Sequence, residues 1–248
     1  MNYAAASIFQ LADPVISIGS IFFEKENEIK LSLAYDEATL KYTLDGADPS
    51  EHSIVYERPI LVNNSGTLRA KAFHSTIQSS NTVEVKYFKI KKTPVKRVNL
   101  KRPPNEKYPG NGAEGLFDLQ KGSNNFHEKK WMGFRGDDVE LLVEFSETVS
   151  FEKIIISALS NPNAWIFPPS GTEIFISKDG KYFYKIAQNQ LEPPTKELQT
   201  GSFFSTINLT REESRFLKIV IKNTTEIPAW HPGKGTPGWL FIDEILIE

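Results

Sequence analysis

The chain has 248 residues, of which 40% are hydrophobic and 24% charged, so it has room for one large or two ordinary folded domains. The formal net charge of -2 argues against long-range attraction to nucleic acid or to an anionic membrane. There are no cysteines, which excludes disulfides, thiolate metal sites and cysteine catalysis. No stretch of sequence is long and apolar enough to predict a membrane span.

The first third of the chain contains short runs in which apolar and polar residues alternate, with almost no helical periodicity. In one of them Leu68 and Ala70 alternate with Arg69 and Lys71, as expected for a strand with one buried face. The strands predicted in this region are Glu28–Tyr35, Leu40–Leu44, Thr67–Phe73 and Val83–Ile90. They predict a small β-sandwich over residues 15–92, preceded by an N-terminal extension over residues 1–14.

Residues 93–105 have a different character, because they are rich in Lys and Arg and contain Pro103-Pro104. They predict an extended linker or a strand that bridges two domains. Beyond them the strand pattern resumes in longer runs, which are Val139–Phe145, Phe151–Leu159, Thr172–Ser177, Tyr182–Ala187, Phe203–Leu209, Arg215–Lys222 and Leu240–Glu248. This number of strands predicts a jelly-roll sandwich over residues 106–248, so the whole chain is expected to be all-β.

Two motifs in the first region carry a family resemblance. Tyr42–Ser50 (YTLDGADPS) and Gly66–Phe73 (GTLRAKAF), with Pro59-Ile60 between them, resemble the pattern of the chitobiase/β-hexosaminidase C-terminal domain. That domain is an immunoglobulin-like module found beside bacterial glycosidase domains. Asp45-Gly46 turns the chain, and the polar residues after it can bond to the backbone of their own loop. The motif is therefore read as scaffolding, and no ligand is predicted for it.

The second region resembles a discoidin-like (coagulation factor 5/8 type C) domain, a galactose-binding-like jelly roll shared with family 32 carbohydrate-binding modules. The resemblance rests on Gly115–Asp118, Trp131–Phe134, Asn163–Pro169 (NAWIFPP), Ile227–Gly235 (IPAWHPGKG) and Phe241–Ile245. This version, and the order of the two modules, is similar to the C-terminal region of bacterial family 20 glycoside hydrolases, the β-N-acetylhexosaminidases. The resemblance implies a bacterial protein that acts outside the cell or in the periplasm.

Adjacent acidic residues are the first candidates for chemistry, because family 20 enzymes use an Asp-Glu pair in a catalytic barrel. Asp243-Glu244 lies on the last predicted strand, where neighbouring side chains point to opposite faces, so one is expected to face the interior and the other solvent. Asp137-Asp138 is excluded on the same grounds. We therefore predict no catalytic residue in this chain and no enzyme activity of its own.

One structural Ca²⁺ ion is expected from the resemblance. Discoidin-like modules often hold such an ion with oxygen ligands from a loop and an acidic residue of the last strand, which suits a hard cation. Carried over to this sequence, the ligands are Asp118, Ser123 and Glu244. Leu119 stands where the family pattern has glycine, so the loop departs from the usual geometry.

A sugar site needs an aromatic ring to stack on the pyranose and polar groups to bind its hydroxyls. Trp165 lies in a Pro-rich loop, and Trp230, His231 and Lys234 lie in a Gly/Pro-rich loop before the last strand. Arg135 follows another tryptophan. These five residues are the predicted carbohydrate-binding set. The same tryptophans could instead dock the module onto a neighbouring domain, since Trp is a frequent interface anchor.

The sequence thus predicts a non-catalytic ancillary region of a β-N-acetylhexosaminidase-type glycoside hydrolase, with a catalytic barrel preceding it in a longer protein. The jelly-roll module would bind or position a glycan containing GlcNAc or galactose, and the immunoglobulin-like module would act as a spacer. Two other hypotheses remain open: both modules only stabilise the barrel or an oligomer, or the jelly roll adheres to a protein.

Overall fold

The computed structural model describes residues 9–248, and the chain divides into two compact units, residues 1–89 and 90–248. The regular structure of the described part is fifteen strands and two short 3₁₀ helices, which confirms the all-β prediction. Within these residues no helix has the length and hydropathy needed to cross a membrane.

The first unit contains eight strands in two sheets, with strand order β1-β3-β6 in one and β2-β8-β7-β4-β5 in the other. The strands are β1 (Val15–Ile18), β2 (Phe22–Phe23), β3 (Asn27–Ser32), β4 (Thr39–Thr43), β5 (Ile54–Val55), β6 (Ile60–Val62), β7 (Gly66–Phe73) and β8 (Val83–Lys89). Ile29 and Ile60 from the smaller sheet share one core with Leu68 and Ala70 from the larger. Two sheets around a common core form the β-sandwich that the alternating pattern predicts.

The segment before β1 was predicted as an N-terminal extension over residues 1–14, and residues 1–8 lie outside the described part. The rest of it is attached to the first unit. The Leu11 N–H donates to the Gln78 carbonyl at 2.9 Å, and Asp13 accepts a 2.8 Å hydrogen bond from the Asn81 N–H. Residues 9–13 are therefore part of the folded module rather than a separate tail.

The second unit contains seven strands in one hydrogen-bonded sheet of order β10-β15-β11-β14-β12-β13, with β9 also paired to β11. The strands are β9 (Val95–Leu100), β10 (Met132–Arg135), β11 (Val139–Ser160), β12 (Gly171–Ser177), β13 (Tyr184–Gln190), β14 (Gly201–Lys222) and β15 (Trp239–Ile247). The 3₁₀ helices are Ala113–Phe117 and Pro162–Ala164.

Strands β11 and β14 are each 22 residues long and pair along most of their length. Bulges in this pairing near Ser146 and Glu152 bend both strands, so that each contributes to two layers. The first part of β11 pairs with β9, whereas its second part pairs with β15. The two layers enclose a large apolar core that includes Phe145, Ile154 and Leu217, which gives the predicted sandwich.

Residues 93–105 were predicted as an extended linker or a strand that bridges two domains, but in the structure they contain strand β9. Val95–Leu100 pairs with the first part of β11 and belongs to the second unit. The basic residues of the segment meet acidic partners on the neighbouring strand: Lys96 lies 2.7 Å from Glu144, and Lys101 lies 2.8 Å from Glu140. The positive charge that suggested an exposed linker is therefore neutralised across a strand pair.

Three loops lie together at one end of the second unit. Ser160, at the end of β11, pairs with Gly201, at the start of β14. Gly171, at the start of β12, pairs with both Gln190 and Lys222. The loops 161–170, 191–200 and 223–238 therefore leave the same end of the sandwich, where loops are free to carry function.

Candidate functional site

Trp165 is held at the end of the second 3₁₀ helix in a left-handed conformation, with φ of 64°. This backbone conformation is uncommon for a bulky residue. Backbone bonds on both sides maintain it: the Trp165 N–H donates to Pro162 O at 2.8 Å, and Trp165 O accepts from the Trp239 N–H at 2.9 Å. The side chain is 37% exposed. The loop thus fixes an indole ring at the surface, at some cost in backbone strain.

Trp230 is 38% exposed and is fixed by its own indole N–H, which donates to the Pro194 carbonyl at 2.9 Å. This bond joins the loop 223–238 to the loop 191–200. Because the polar end of the ring already has a partner, its apolar surface is what remains for a ligand.

His231, one of the predicted sugar-binding residues, lies between the two tryptophans. Its ring meets Trp165 edge-on at 6.0 Å and Trp230 at 5.5 Å, and only 6% of the residue is exposed. Nδ1 accepts the Gly233 N–H at 3.0 Å, so the proton lies on Nε2, which donates to Pro162 O at 2.9 Å. Both ring nitrogens therefore have partners within the protein, and the buried ring supports the two tryptophans.

The two tryptophans line a cavity of about 370 Å³. The loop 191–200 supplies the polar part of its wall through Lys196, Gln199 and Thr200, and Leu198 adds an apolar surface. None of these four residues was among the predicted sugar-binding residues. Their one sequence signal is a polar run after Pro193-Pro194, which indicates a loop but not that the loop lies beside the tryptophans.

The other two predicted sugar ligands, Lys234 and Arg135, do not line this cavity. Lys234 is exposed, and its backbone N–H closes a turn onto His231 O at 3.0 Å. Arg135 ends strand β10 and places its guanidinium 5.7 Å from the centre of the half-buried Trp239 ring. Arg135 follows Trp131 closely in sequence, but the tryptophan ring that it faces in the structure is Trp239 on β15.

A second group of polar residues surrounds β15 at the loop 118–131. Asp243 forms a 2.8 Å ion pair with Lys121 and accepts a 2.7 Å hydrogen bond from the Gly122 N–H. The Lys121 ammonium also lies 4.2 Å from the centre of the Trp131 ring, which is fully buried. Burial raises the pKa of Asp243 and lowers that of Lys121, and the attraction between them opposes both shifts.

Both acidic residues of the Asp243-Glu244 pair are buried, so the expectation that one faces solvent is wrong. The reason is a bulge in the pairing of β15 with β11. Ser157 pairs with Glu244 and Ala158 with Ile242, which leaves Asp243 as an extra residue. A bulge breaks the alternation of side chains, so neighbouring carboxyl groups reach the same loop.

Of the two buried carboxyl groups, that of Glu244 has the weaker set of partners. Its Oε2 accepts the Gln120 N–H at 3.0 Å, a donor that it shares with Asp118 at 2.8 Å. Its Oε1 is buried and has no hydrogen-bond partner among the described residues. Burial raises the pKa of Glu244 to about 9; the charges of Asp118 and Asp243 act in the same direction, and backbone N–H groups oppose them.

Ser123, the third predicted metal ligand, has hydrogen-bond partners within its own loop. Its hydroxyl donates to Glu128 at 2.6 Å and accepts the Asn125 N–H at 3.1 Å. Its carbonyl accepts the indole N–H of Trp131 at 2.9 Å. Over residues 9–248, no three His, Asp or Glu side chains converge in an arrangement suited to a metal ion.

Comparisons with known proteins follow the two-unit division. Residues 19–84 match the family model described as the chitobiase/β-hexosaminidase C-terminal domain, which confirms the resemblance inferred from the first motifs. A search of the curated proteins found no match.

Solved structures similar to this chain include carbohydrate-binding modules. A pectin-binding module is 19% identical, with 63% of this chain and 91% of that chain covered and a TM-score of 0.41. CpGH89CBM32-5 from Clostridium perfringens, solved with GalNAc-β-1,3-galactose, is 13% identical, with 61% and 93% covered and a TM-score of 0.40. CBM32-1 from a family 31 glycoside hydrolase of the same organism is 17% identical, with 63% and 96% covered and a TM-score of 0.39.

Proposed function

We propose that the second unit binds glycan in the cavity lined by Trp165 and Trp230. The observation that carries this proposal is the presence of two indole rings, each more than a third exposed, that are fixed in place by hydrogen bonds and by the buried His231. Exposed rings that are already ordered lose little conformational entropy when a sugar stacks on them. Lys196, Gln199 and Thr200 supply hydrogen-bonding groups for the hydroxyls at the rim.

In this proposal the chain is an accessory region of a β-N-acetylhexosaminidase-type glycoside hydrolase that acts outside the cell or in the periplasm. The glycan contains GlcNAc or galactose, and the first unit is a spacer between a preceding catalytic barrel and the binding unit. Tethering to bound glycan raises the local concentration of substrate at the barrel without changing the chemical step. The family match over residues 19–84 supports this association.

The test is isothermal titration calorimetry of the chain with GlcNAc- and galactose-containing oligosaccharides. Trp165→Ala and Trp230→Ala are each expected to weaken binding about tenfold or more, because one stacked ring contributes on the order of 1 kcal/mol beyond its buried area. Tyr182→Ala is the matched control, since Tyr182 is an aromatic residue that is 82% exposed and lies outside the cavity. Equal losses in all three variants, or no binding by the unaltered chain, would refute the proposal.

We further propose that Asp118 and Glu244 hold one structural Ca²⁺. The unpartnered, buried Oε1 of Glu244 and the nearby Asp118 carboxylate are hard oxygen donors with no nearby donor to neutralise them fully. The residues therefore fit the ion in part, and Ser123 and nearby backbone carbonyls are the remaining predicted ligands. When bound, the ion would supply positive charge to a buried acidic pair and tie the loop to β15.

Thermal unfolding with and without Ca²⁺ tests this second proposal. Calcium at a hundred times its Kd is expected to stabilise the second unit by about 2.7 kcal/mol, relative to a sample in chelator. Glu244→Gln should abolish the difference, whereas Glu226→Gln, an exposed acidic residue elsewhere, should leave it intact. The absence of any calcium effect on the unaltered chain would show that the acidic pair is neutralised without metal.

A further inference from the structure

A second cavity, of about 550 Å³, lies beside the tryptophan cavity and is not part of the site described above. Its floor comes from the ends of β12, β13 and β14, and its wall includes Leu191, Pro193, Pro194 and Pro228. Both cavities fall within the range of roughly 300–1,000 Å³ that is typical of small-molecule sites.

The second cavity carries hydrogen-bonding groups that the fold does not use. Asn189 Nδ2 donates to Ser205 at 3.2 Å and its Oδ1 is buried away from solvent, so this side chain is not available to a ligand. The side chains of Gln190, Thr225 and Glu226 line the cavity and are exposed, and none has a side-chain hydrogen bond within the described part of the chain. Their donors and acceptors are free to bind the hydroxyl groups of a sugar. Apolar proline walls suit the C–H faces of the same ligand.

The charges in this cavity select among glycans. Lys222 lies 3.0 Å from Asp138 and 3.5 Å from Glu173, so its charge is already compensated. Glu226 has no ion-pair partner among the described residues and leaves a negative charge at the rim. A carboxylated or sulfated sugar would be repelled by that charge, because no free cation in the cavity offsets it. A neutral or N-acetylated sugar would not be repelled.

The same two loops build both cavities. Pro193 and Pro194 line the second cavity, and the residues that follow them in the loop line the tryptophan cavity. Pro228 lines the second cavity and Trp230 the first. The two loops meet at the hydrogen bond from the Trp230 indole to Pro194 O. These two residues form the wall between the cavities.

We propose that the two cavities are subsites of one binding site, which takes a linear, neutral or N-acetylated oligosaccharide rather than a single sugar. The proposal rests on the glycan-binding function above. One sugar unit stacks on the exposed tryptophan rings, the chain passes over the Trp230–Pro194 wall, and a further unit forms hydroxyl hydrogen bonds with Gln190 and Glu226.

Calorimetry with the whole chain tests the proposal, using GlcNAc and galactose alone and the tetrasaccharides that contain each of them. For whichever sugar binds, the tetrasaccharide is expected to bind about tenfold more tightly than the monosaccharide, which corresponds to about 1.4 kcal/mol. The double variant Gln190→Ala/Glu226→Ala should remove that advantage and leave monosaccharide binding unchanged. Glu192→Ala is the control, because Glu192 is an exposed neighbour that does not line the cavity.

The outcomes separate this inference from the proposed function. Equal binding of monosaccharide and tetrasaccharide by the unaltered chain would overturn the two-subsite arrangement and leave the tryptophan site standing. A double variant that weakens both ligands equally would also overturn it, because the second cavity would then support the first only structurally. Binding of none of the four ligands would refute both.

Discussion

The loop 118–131 and the loops around Trp165 and Trp230 use the same residue types in opposite ways. In the first, Trp131 is fully buried and its indole N–H, the Lys121 ammonium and the Asp243 carboxylate all find partners inside the protein. In the second, the indole rings are anchored by their edges and remain more than a third exposed. A tryptophan beside charged residues therefore indicates a binding surface only when its ring is left uncovered.

The largest expected effect comes from breaking the buried ion pair. Asp243→Ala leaves Lys121 and the Gly122 N–H without their partner, so the second unit should lose about 3–5 kcal/mol of unfolding free energy. Urea unfolding followed by tryptophan fluorescence measures this loss, because all four tryptophans lie in the second unit.

The double variant Asp243→Ala/Lys121→Met is the control for this prediction. It removes both charges and should recover much of the loss, because an apolar pair leaves no uncompensated charge. If the double variant were no more stable than the single one, the ion pair would not be the cause of the loss.

A smaller stability effect, joined to a loss of binding, is expected for His231→Ala. The change leaves Pro162 O and the Gly233 N–H without partners and should cost roughly 1–3 kcal/mol. Because His231 separates the two indole rings and lines the cavity with them, sugar affinity should fall as well. Calorimetry of the folded variant decides the point: unchanged affinity would mean that the rings hold their positions without it.

The smallest effects are expected for Arg135 and Lys234, the two predicted sugar-binding residues that do not line the tryptophan cavity. Arg135→Ala and Lys234→Ala should each change glycan affinity by less than about twofold, since neither side chain lines the tryptophan cavity. Trp230→Ala measured in the same titrations provides the positive reference. A tenfold loss for Arg135→Ala would place the sugar against Trp239 instead.

Much of the architecture follows from local patterns. Strands were predicted from the alternation in Gly66–Phe73 and from the long apolar runs of β11 and β14. A strand buried on one face alternates apolar and polar residues, and a strand buried on both faces is a continuous apolar run. Trp165 and Trp230 were found because prolines and glycines flank them, and such residues place side chains on loops.

The errors share one physical origin, which is pairing between distant segments. The basic residues in and beside Val95–Leu100 predict a linker, because the sequence does not show that Glu140 and Glu144 of β11 pair with them. The alternation of Asp243 and Glu244 fails because of a bulge where β15 pairs with β11, a segment distant in sequence. The polar run that contains Lys196 and Gln199 indicates only a loop, since the meeting of two loops is what brings these residues to the tryptophans.

The bond from the Trp230 indole to Pro194 O has a consequence for the thermodynamics of recognition. Trp165 is held by a left-handed backbone and Trp230 by this bond, so both rings reach their ligand-ready rotamers during folding. Freezing a side chain on association costs about 0.5–1.5 kcal/mol, and here that entropy is lost before any ligand arrives. Association should therefore be a docking event onto a rigid surface, with little rearrangement of either loop and a rate set by encounter and orientation.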